Sequence, residues 1–310
     1  MIKKLFQFFV LCLMVIACED EKPKATDTPT SGNITVSCDE SLKPIAEAEK
    51  EVFEALYPNA KIQLVFTDEQ SAINLVLKDS ARMAFVTRKM NKEEESILKS
   101  QNIARSRSIK IAFDAIAFIL NQTNKDTLFK IDQIKQILNG EISDWSQINP
   151  NHKGPIQVVF DNPASGAIRH LKDSLGLKNQ ISKQCFALKS NKEVVDYVEQ
   201  NKHAIGIIGI SWISDPDDSL VKYFYKQIRV ADIVPAQIKY ESITWKPIQA
   251  NIHLKQYPFW REVFLVSREA KSGLGTGFAS FISGDQGQRI ILKAGLVPSR
   301  AAIRTIELTQ

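Results

Sequence analysis

From Asn33 onward the apolar residues switch repeatedly between a strand-like and a helix-like spacing. Asn33–Ser37 (NITVS) predicts a first strand. Leu42, Ile45, Ala46, Val52, Phe53 and Leu56 then recur at helical intervals, and Pro58 stops that helix. Lys61–Phe66 predicts a strand, Gln70–Lys78 a helix and Arg82–Val86 a short strand. Asn91 has the side chain of a helix cap and predicts a charged helix through Lys99. Ile109–Leu120 (IKIAFDAIAFIL) is the longest apolar run. Its periodicity also fits a buried helix, but its β-branched and aromatic content favours a strand.

Beyond it, Ile131–Leu138 predicts an amphipathic helix ended by Asn139-Gly140, and Ile156–Phe160 a strand. Helices follow at Gly166 to Leu175 and Lys192–Glu199, with an apolar strand at Ala204–Ile210. Val221–Val230 and Arg261–Val266 predict further strands, and Leu274–Leu292 one closing helix ended by Ala294-Gly295. No internal repeat is visible. Strands alternating with helices predict an α/β fold with mostly parallel sheets.

The first residues have a different character. Lys3 and Lys4 precede an apolar run from Leu5 to Ala17, too short for the roughly 20 residues of a spanning helix. Residues 1–17 therefore predict a secretory signal peptide. Val15-Ile16-Ala17-Cys18 resembles a lipobox, which makes Cys18 the expected acylated N-terminus; an ordinary signal peptide is the alternative. From Glu19 to Gly32 nothing aliphatic is larger than alanine, so residues 18–32 are expected to form a disordered tether. Losing Lys3 and Lys4 with the leader lowers the formal charge from +5 to +3, too mild a balance for nucleic acid.

Three segments share the order strand, polar loop, helix start: Ser37–Ser41, Thr67–Ser71 and Asp161–Ala167, the last followed by Arg169 and His170. Such loops aim unpaired backbone N–H groups and the positive end of a helix dipole outward, an arrangement suited to anions. Thr87-Arg88-Lys89 follows a strand and could supply a countercharge. Taken singly, each serine or aspartate is more simply a plain helix cap, contributing about 1 kcal/mol. Brought to one cleft, the set would surround an oxyanion with N–H and O–H donors.

In order along the chain, these segments resemble the phosphate-binding proteins of ABC importers, the PstS-like family. Glu40-Ser41-Leu42 matches that family's first serine loop, Gln70-Ser71 aligns loosely with its second, and Thr87-Arg88 matches the step after a short strand. Asp114–Asn121 resembles its crossing strand and Gly140–Trp145 its "GKITNW" segment. Ser165-Gly166-Ala167 corresponds to its "SGT" loop and Ala204–Gly209 to its "AIGYVG" strand. Gly284–Gln288 with Ala294–Pro298 resembles its ending.

The resemblance implies a two-lobed periplasmic-binding-protein-like fold of type 2, with mixed sheets flanked by helices and a ligand cleft between lobes. It places lobe 1 at about 33–111 and 222–310, and lobe 2 at about 112–221. It implies capture of a small oxyanion, phosphate above others, by Glu40, Ser41, Leu42, Gln70, Ser71, Thr87, Arg88, Asp161, Ser165, Gly166, Ala167 and Arg169, and delivery to an ABC permease. The expected protein is a monomer in the cell envelope, held to a membrane only through its lipid. Cys38 and Cys185 fall in different lobes, where a disulfide would hinder hinge motion.

Two departures touch the ligand. Ala167 replaces the threonine of "SGT" and removes a hydroxyl donor, and Asp161 lies where many members carry arginine nearby. An aspartate there could accept a proton from monohydrogen phosphate or repel a fully ionised oxyanion. These departures motivate the alternative, an envelope accessory or sensor lipoprotein with an altered or lost anion site. No enzyme is expected and no cofactor. His152, His170, His203 and His253 lack metal-ligand spacing, and no serine sits in a G-x-S-x-G elbow. Trp145, Trp212, Trp245 and Trp260 read as core or interface residues.

Overall fold

The strand-like and helix-like stretches become strands, many of them followed by a helix. A computed structural model describes residues 27–103, 107–178, 181–215, 217–235 and 243–300. The leader (1–17), Cys18 and residues 19–26 of the expected tether lie outside the described residues. β1 (Gly32–Asp39) leads into α1 (Lys43–Leu56), which carries a proline in its first turn, where no intrahelical donor is needed. β2 (Ala60–Thr67) leads into α2 (Glu69–Leu77), capped by Asp68. β3 (Met83–Val86) leads into α3 (Lys92–Ser100), where Asn91 and Glu94 form a reciprocal capping box.

Next come β4 (Arg107–Asn121), β5 (Leu128–Lys130) and α4 (Ile131–Asn139). α4 stops at Gly140, whose φ of 83° is the left-handed conformation that favours glycine. β6 (Gln157–Phe160) leads into α5 (Gly166–Leu175), then β7 (Cys185–Ala187), α6 (Asn191–Gln200) and β8 (Ala204–Gly209). The remainder is α7 (Ser219–Gln227), β9 (Ile228–Val230), β10 (Asp232–Val234), α8 (Gln249–His253), β11 (Trp260–Ser267), α9 (Leu274–Ser283), α10 (Asp285–Lys293) and β12 (Val297–Pro298).

β4 joins two packed bodies. It has 15 residues, a length of about 50 Å. Its first half pairs with β11, and beyond β11 lie β3, β1 and β2, with β1 parallel to both its neighbours. Its second half, from Ile116, pairs antiparallel with β8, and β6 and β7 continue in parallel. The cores divide in the same way. Phe53, Phe85, Leu265 and Phe278 belong to one buried cluster, and Phe118, Phe129, Trp145 and Val158 to another. This is the mixed-sheet, two-lobed architecture of a periplasmic binding protein. Cys38 and Cys185 are free thiols, one in each cluster.

The structure differs from the sequence reading in three elements. Val221–Val230 is mostly α7, because its buried residues, Val221 and Phe224, are three apart while Tyr223 and Tyr225 face out. Only Ile228–Val230 is strand, and it pairs with the end of β4. The chain thus still lies against the second half of β4 at residue 230, whereas the sequence reading returns it to lobe 1 near 222. The closing helix is two helices, broken where Gly284 adopts an extended conformation. Residues 27–32 belong to the fold rather than to a tether. Asp27 accepts the Leu274 N–H at 2.7 Å, and Thr28 pairs with Ser31 across a tight turn.

Candidate functional site

The turns after β1, β2, β3 and β6 meet where the lobes face each other, and each owes its shape to capping. Asp39 ends β1 and caps the turn that follows, its Oδ1 accepting the Ser41 N–H at 2.9 Å and the Ser41 hydroxyl at 2.5 Å. Ser165 caps α5 and leaves the next amide, Gly166 N–H, pointing across the cleft. That amide donates to Asp39 Oδ2 at 2.7 Å. Asp39, Ser41, Ser165 and Gly166 are all buried.

Beside them, Thr87 donates through its amide (2.7 Å) and hydroxyl (2.6 Å) to Glu69 Oε1. Arg169 crosses from the other lobe, its Nε 2.5 Å from Glu69 Oε2 and its Nη2 3.0 Å from Thr87 Oγ1. Glu40 accepts the amide N–H of Asn191 at 3.0 Å and its side-chain Nδ2. Asn191 also reaches Asp161 at 3.3 Å. The Ser211 hydroxyl donates to Ser41 O at 3.2 Å, and Trp212 Nε1 to Glu40 O at 3.4 Å.

Beneath this ring lies an ion pair. Arg261 on β11 and Asp114 on β4 are directly opposite in the antiparallel register, and both side chains are fully buried. Arg261 Nη2 is 2.7 Å from Asp114 Oδ2 and also donates to Ser41 Oγ at 2.9 Å. Its Nη1 is buried without a partner, as is Asp161 Oδ1. An open groove of about 630 Å³, lined by Thr87, Arg88, His170, Trp260 and Arg261 among others, reaches the same guanidinium.

Carboxyl groups outnumber the guanidinium groups here, and burial acts on all of them. Burial raises Asp39 even against the charge of Arg261. Burial, with a contribution from Asp39, pushes Asp161 up to about 7. Burial likewise pushes Glu40 up to about 7, against the hydrogen bonds from Asn191. Glu69 is the exception: burial alone would raise it, but Arg169 and Thr87 outweigh that and hold it below the usual carboxylate range. His170, half-buried rather than on the helix surface, is held down to about 4 by burial and by Arg261 and Arg169.

The structure brings Glu40, Ser41, Thr87, Asp161, Ser165, Gly166 and Arg169 together. The rest of the predicted set has other partners or lies at the edge of this group. Leu42 is a core side chain, and the Ala167 methyl belongs to the lobe 2 core. The Ser71 amide serves the Asp68 cap. Arg88, read as the countercharge, lines the groove and has its Nε 3.8 Å from Glu69 Oε2, but its hydrogen bonds go to Glu94 at 2.7 and 2.8 Å and Gln70 at 2.9 Å. The guanidinium at the centre is Arg261 instead; Asp39 and Glu69 lie in the predicted loops and Asp114 in the predicted crossing strand without being assigned to the site, and Asn191 is not singled out. Two signals for them existed: Asp114 interrupts an otherwise apolar run, and Arg261 lies in phase with the buried Val263 and Leu265. Among the described residues no group of His, Cys, Asp and Glu side chains is arranged to hold a metal ion.

Known proteins match over most of the chain. A phosphate-binding protein PstS of Borreliella burgdorferi is 23% identical over 275 residues, spanning 85% of this chain and 89% of that protein. One of Pseudomonas aeruginosa is 20% identical over 288 residues, spanning 88% and 85%. Among solved structures, a Clostridium perfringens chain with bound phosphate superposes with a TM-score of 0.72 at 22% identity, covering 87% of this chain and all of that one. An ABC-type phosphate transport receptor from Vibrio cholerae gives 0.62 at 20%, covering 86% and 100%. At these identities the structures speak for the fold alone. The family model described as a PBP superfamily domain matches residues 23–286, and the chain belongs to that superfamily.

Proposed function

We propose that this chain is an exported solute-binding protein that captures a small oxyanion, phosphate above others, between its lobes for an ABC importer, and that acylated Cys18 anchors it to a membrane. One observation carries the reading. Donors from both lobes already surround carboxylate oxygens of the chain itself: Gly166 N–H and the Ser41 amide and hydroxyl on Asp39, and Arg169 with Thr87 on Glu69. A carboxylate oxygen and a phosphate oxygen make the same demand on such donors. Donors contributed by both lobes favour a closed form when an anion takes them up. The PstS relatives, which carry the name of phosphate-binding proteins, support the choice of ligand.

The acidic surroundings make capture depend on pH. Asp161 and Glu40 take up protons as pH falls through about 7, and Asp39, also raised, does so above its ordinary range. Each proton removes negative charge from the cleft, so oxyanion affinity rises toward acid. Calorimetric titration with phosphate, sulfate and molybdate at about pH 5.5 and about pH 8 tests both parts. Phosphate should give heat at 1:1 stoichiometry and bind more tightly at the lower pH. Sulfate, a dianion throughout this range, should show the same trend and so separate the protein's protons from the ligand's. No heat with any of the three would remove the oxyanion reading. That result would leave the accessory or sensor lipoprotein, which Ala167, without a hydroxyl, and the self-paired donors also favour.

A further inference from the structure

We propose that Asp39 is a tethered competitor for the oxyanion: its carboxylate occupies the donors that the ligand would use, holds the lobes together through Gly166, and thereby sets the affinity. The inference rests on the oxyanion reading above.

The geometry is specific. Asp39 Oδ1 takes the Ser41 amide and hydroxyl from its own lobe, and Oδ2 takes the Gly166 amide from the other. Arg261 reaches the same Ser41 hydroxyl at 2.9 Å. A small group of donors from two lobes therefore converges on one negatively charged group that is part of the chain. An incoming oxyanion cannot share them. Asp39 must turn away or be protonated before the ligand can be held, and the free energy of either step is subtracted from binding. Glu69, Asp161 and Glu40 face Asp39 and add to the repulsion it exerts on an anion.

Asp39→Asn isolates this role. The asparagine carbonyl can still cap the turn by accepting the Ser41 amide. Its amide group, now facing the Gly166 N–H, leaves donors with no anion between them. Asp39→Ser, also a good cap, serves as a second variant should the first fold poorly. Phosphate titrated at about pH 7 should bind Asp39→Asn at least about tenfold more tightly than wild type. Equal or weaker binding by the variant would overturn the inference, since it would make Asp39 a partner of the ligand rather than its rival. Small-angle scattering without added anion supplies an independent arm. The variant should be more extended than wild type, because the Asp39–Gly166 link is gone. If neither protein binds phosphate or sulfate, the oxyanion reading fails by itself, and scattering decides the tether: an expanded variant upholds it and an unchanged one refutes it.

Discussion

Arg261→Ala is expected to be the most damaging single substitution in the cleft, lowering stability by about 3–5 kcal/mol and the melting temperature by roughly 10 °C. The reason is the residue left behind. Asp114 is fully buried on a strand shared by both lobes, and Arg261 is its ion-pair partner. Removing the guanidinium strands a carboxylate in the interior, and it also takes the positive charge that opposes the rise of Asp39. The sign of the pH effect follows. Without Arg261 the folded-state pKa of Asp114, already raised by burial, rises further. The penalty is present above that raised value and relaxes as pH falls and the carboxyl is protonated. Thermal melts at mildly acidic and mildly alkaline pH should therefore show a larger deficit on the alkaline side. Arg261→Lys should recover only part of the loss, because an ammonium cannot contact Asp114 and Ser41 with a planar fork. A melting temperature within a degree or two of wild type would remove this pair from the account.

Gly166→Ala is expected to act on closure instead of folding. Gly166 is absent from the glycines with positive φ and begins α5, so alanine suits its backbone. The conflict lies across the cleft, where an added methyl would collide with Thr87 Oγ1 and lie 2.9 Å from Glu69 Oε1 and 3.0 Å from Asp39 Oδ2. The amide itself is kept, so the substitution tests how closely the two sides of the cleft must approach. Oxyanion affinity should fall on the order of 100-fold while stability changes by less than about 1 kcal/mol. Calorimetry for binding and denaturant melts for stability separate the two. An unchanged affinity would mean that the lobes do not approach this closely when they bind.

Much of the fold is readable because it depends on local chemistry. The α5 limits and the Asn91 cap follow from side chains acting on nearby backbone, and the Gly140 stop from the backbone freedom of a residue without one. The run in β4 resolves as strand because its branched and aromatic residues sit inside a sheet, where tertiary burial agrees with propensity. α7 was misread because Val221, Tyr223, Phe224 and Tyr225 crowd together, and only three-dimensional packing shows which of them face in. The site divides in the same manner. Ser41, Ser165 and Gly166 announce themselves as polar or small residues between a strand and a helix, Ser165 as the cap itself. Arg261 is near the start of strand β11, and its partner is 147 residues earlier in the chain. Arg88 looked like the countercharge because it follows a strand next to Thr87, but the Glu94 of a neighbouring helix cap claims it first. Local patterns locate donors, while the charges that balance them are set by long-range pairing.

If donors from both lobes hold an oxyanion, they do so at Gly166 and Ser41. A crystal structure of the wild-type protein grown in phosphate at about pH 5.5, where Asp161 and Glu40, both pushed up to about 7, are largely protonated, would show whether they do. A tetrahedral anion is expected within hydrogen-bonding distance of Gly166 N–H and the Ser41 hydroxyl, with the Asp39 side chain turned away or protonated beside it. A cleft in which Asp39 and Glu69 keep all their present partners, with phosphate bound elsewhere or not at all, would contradict it.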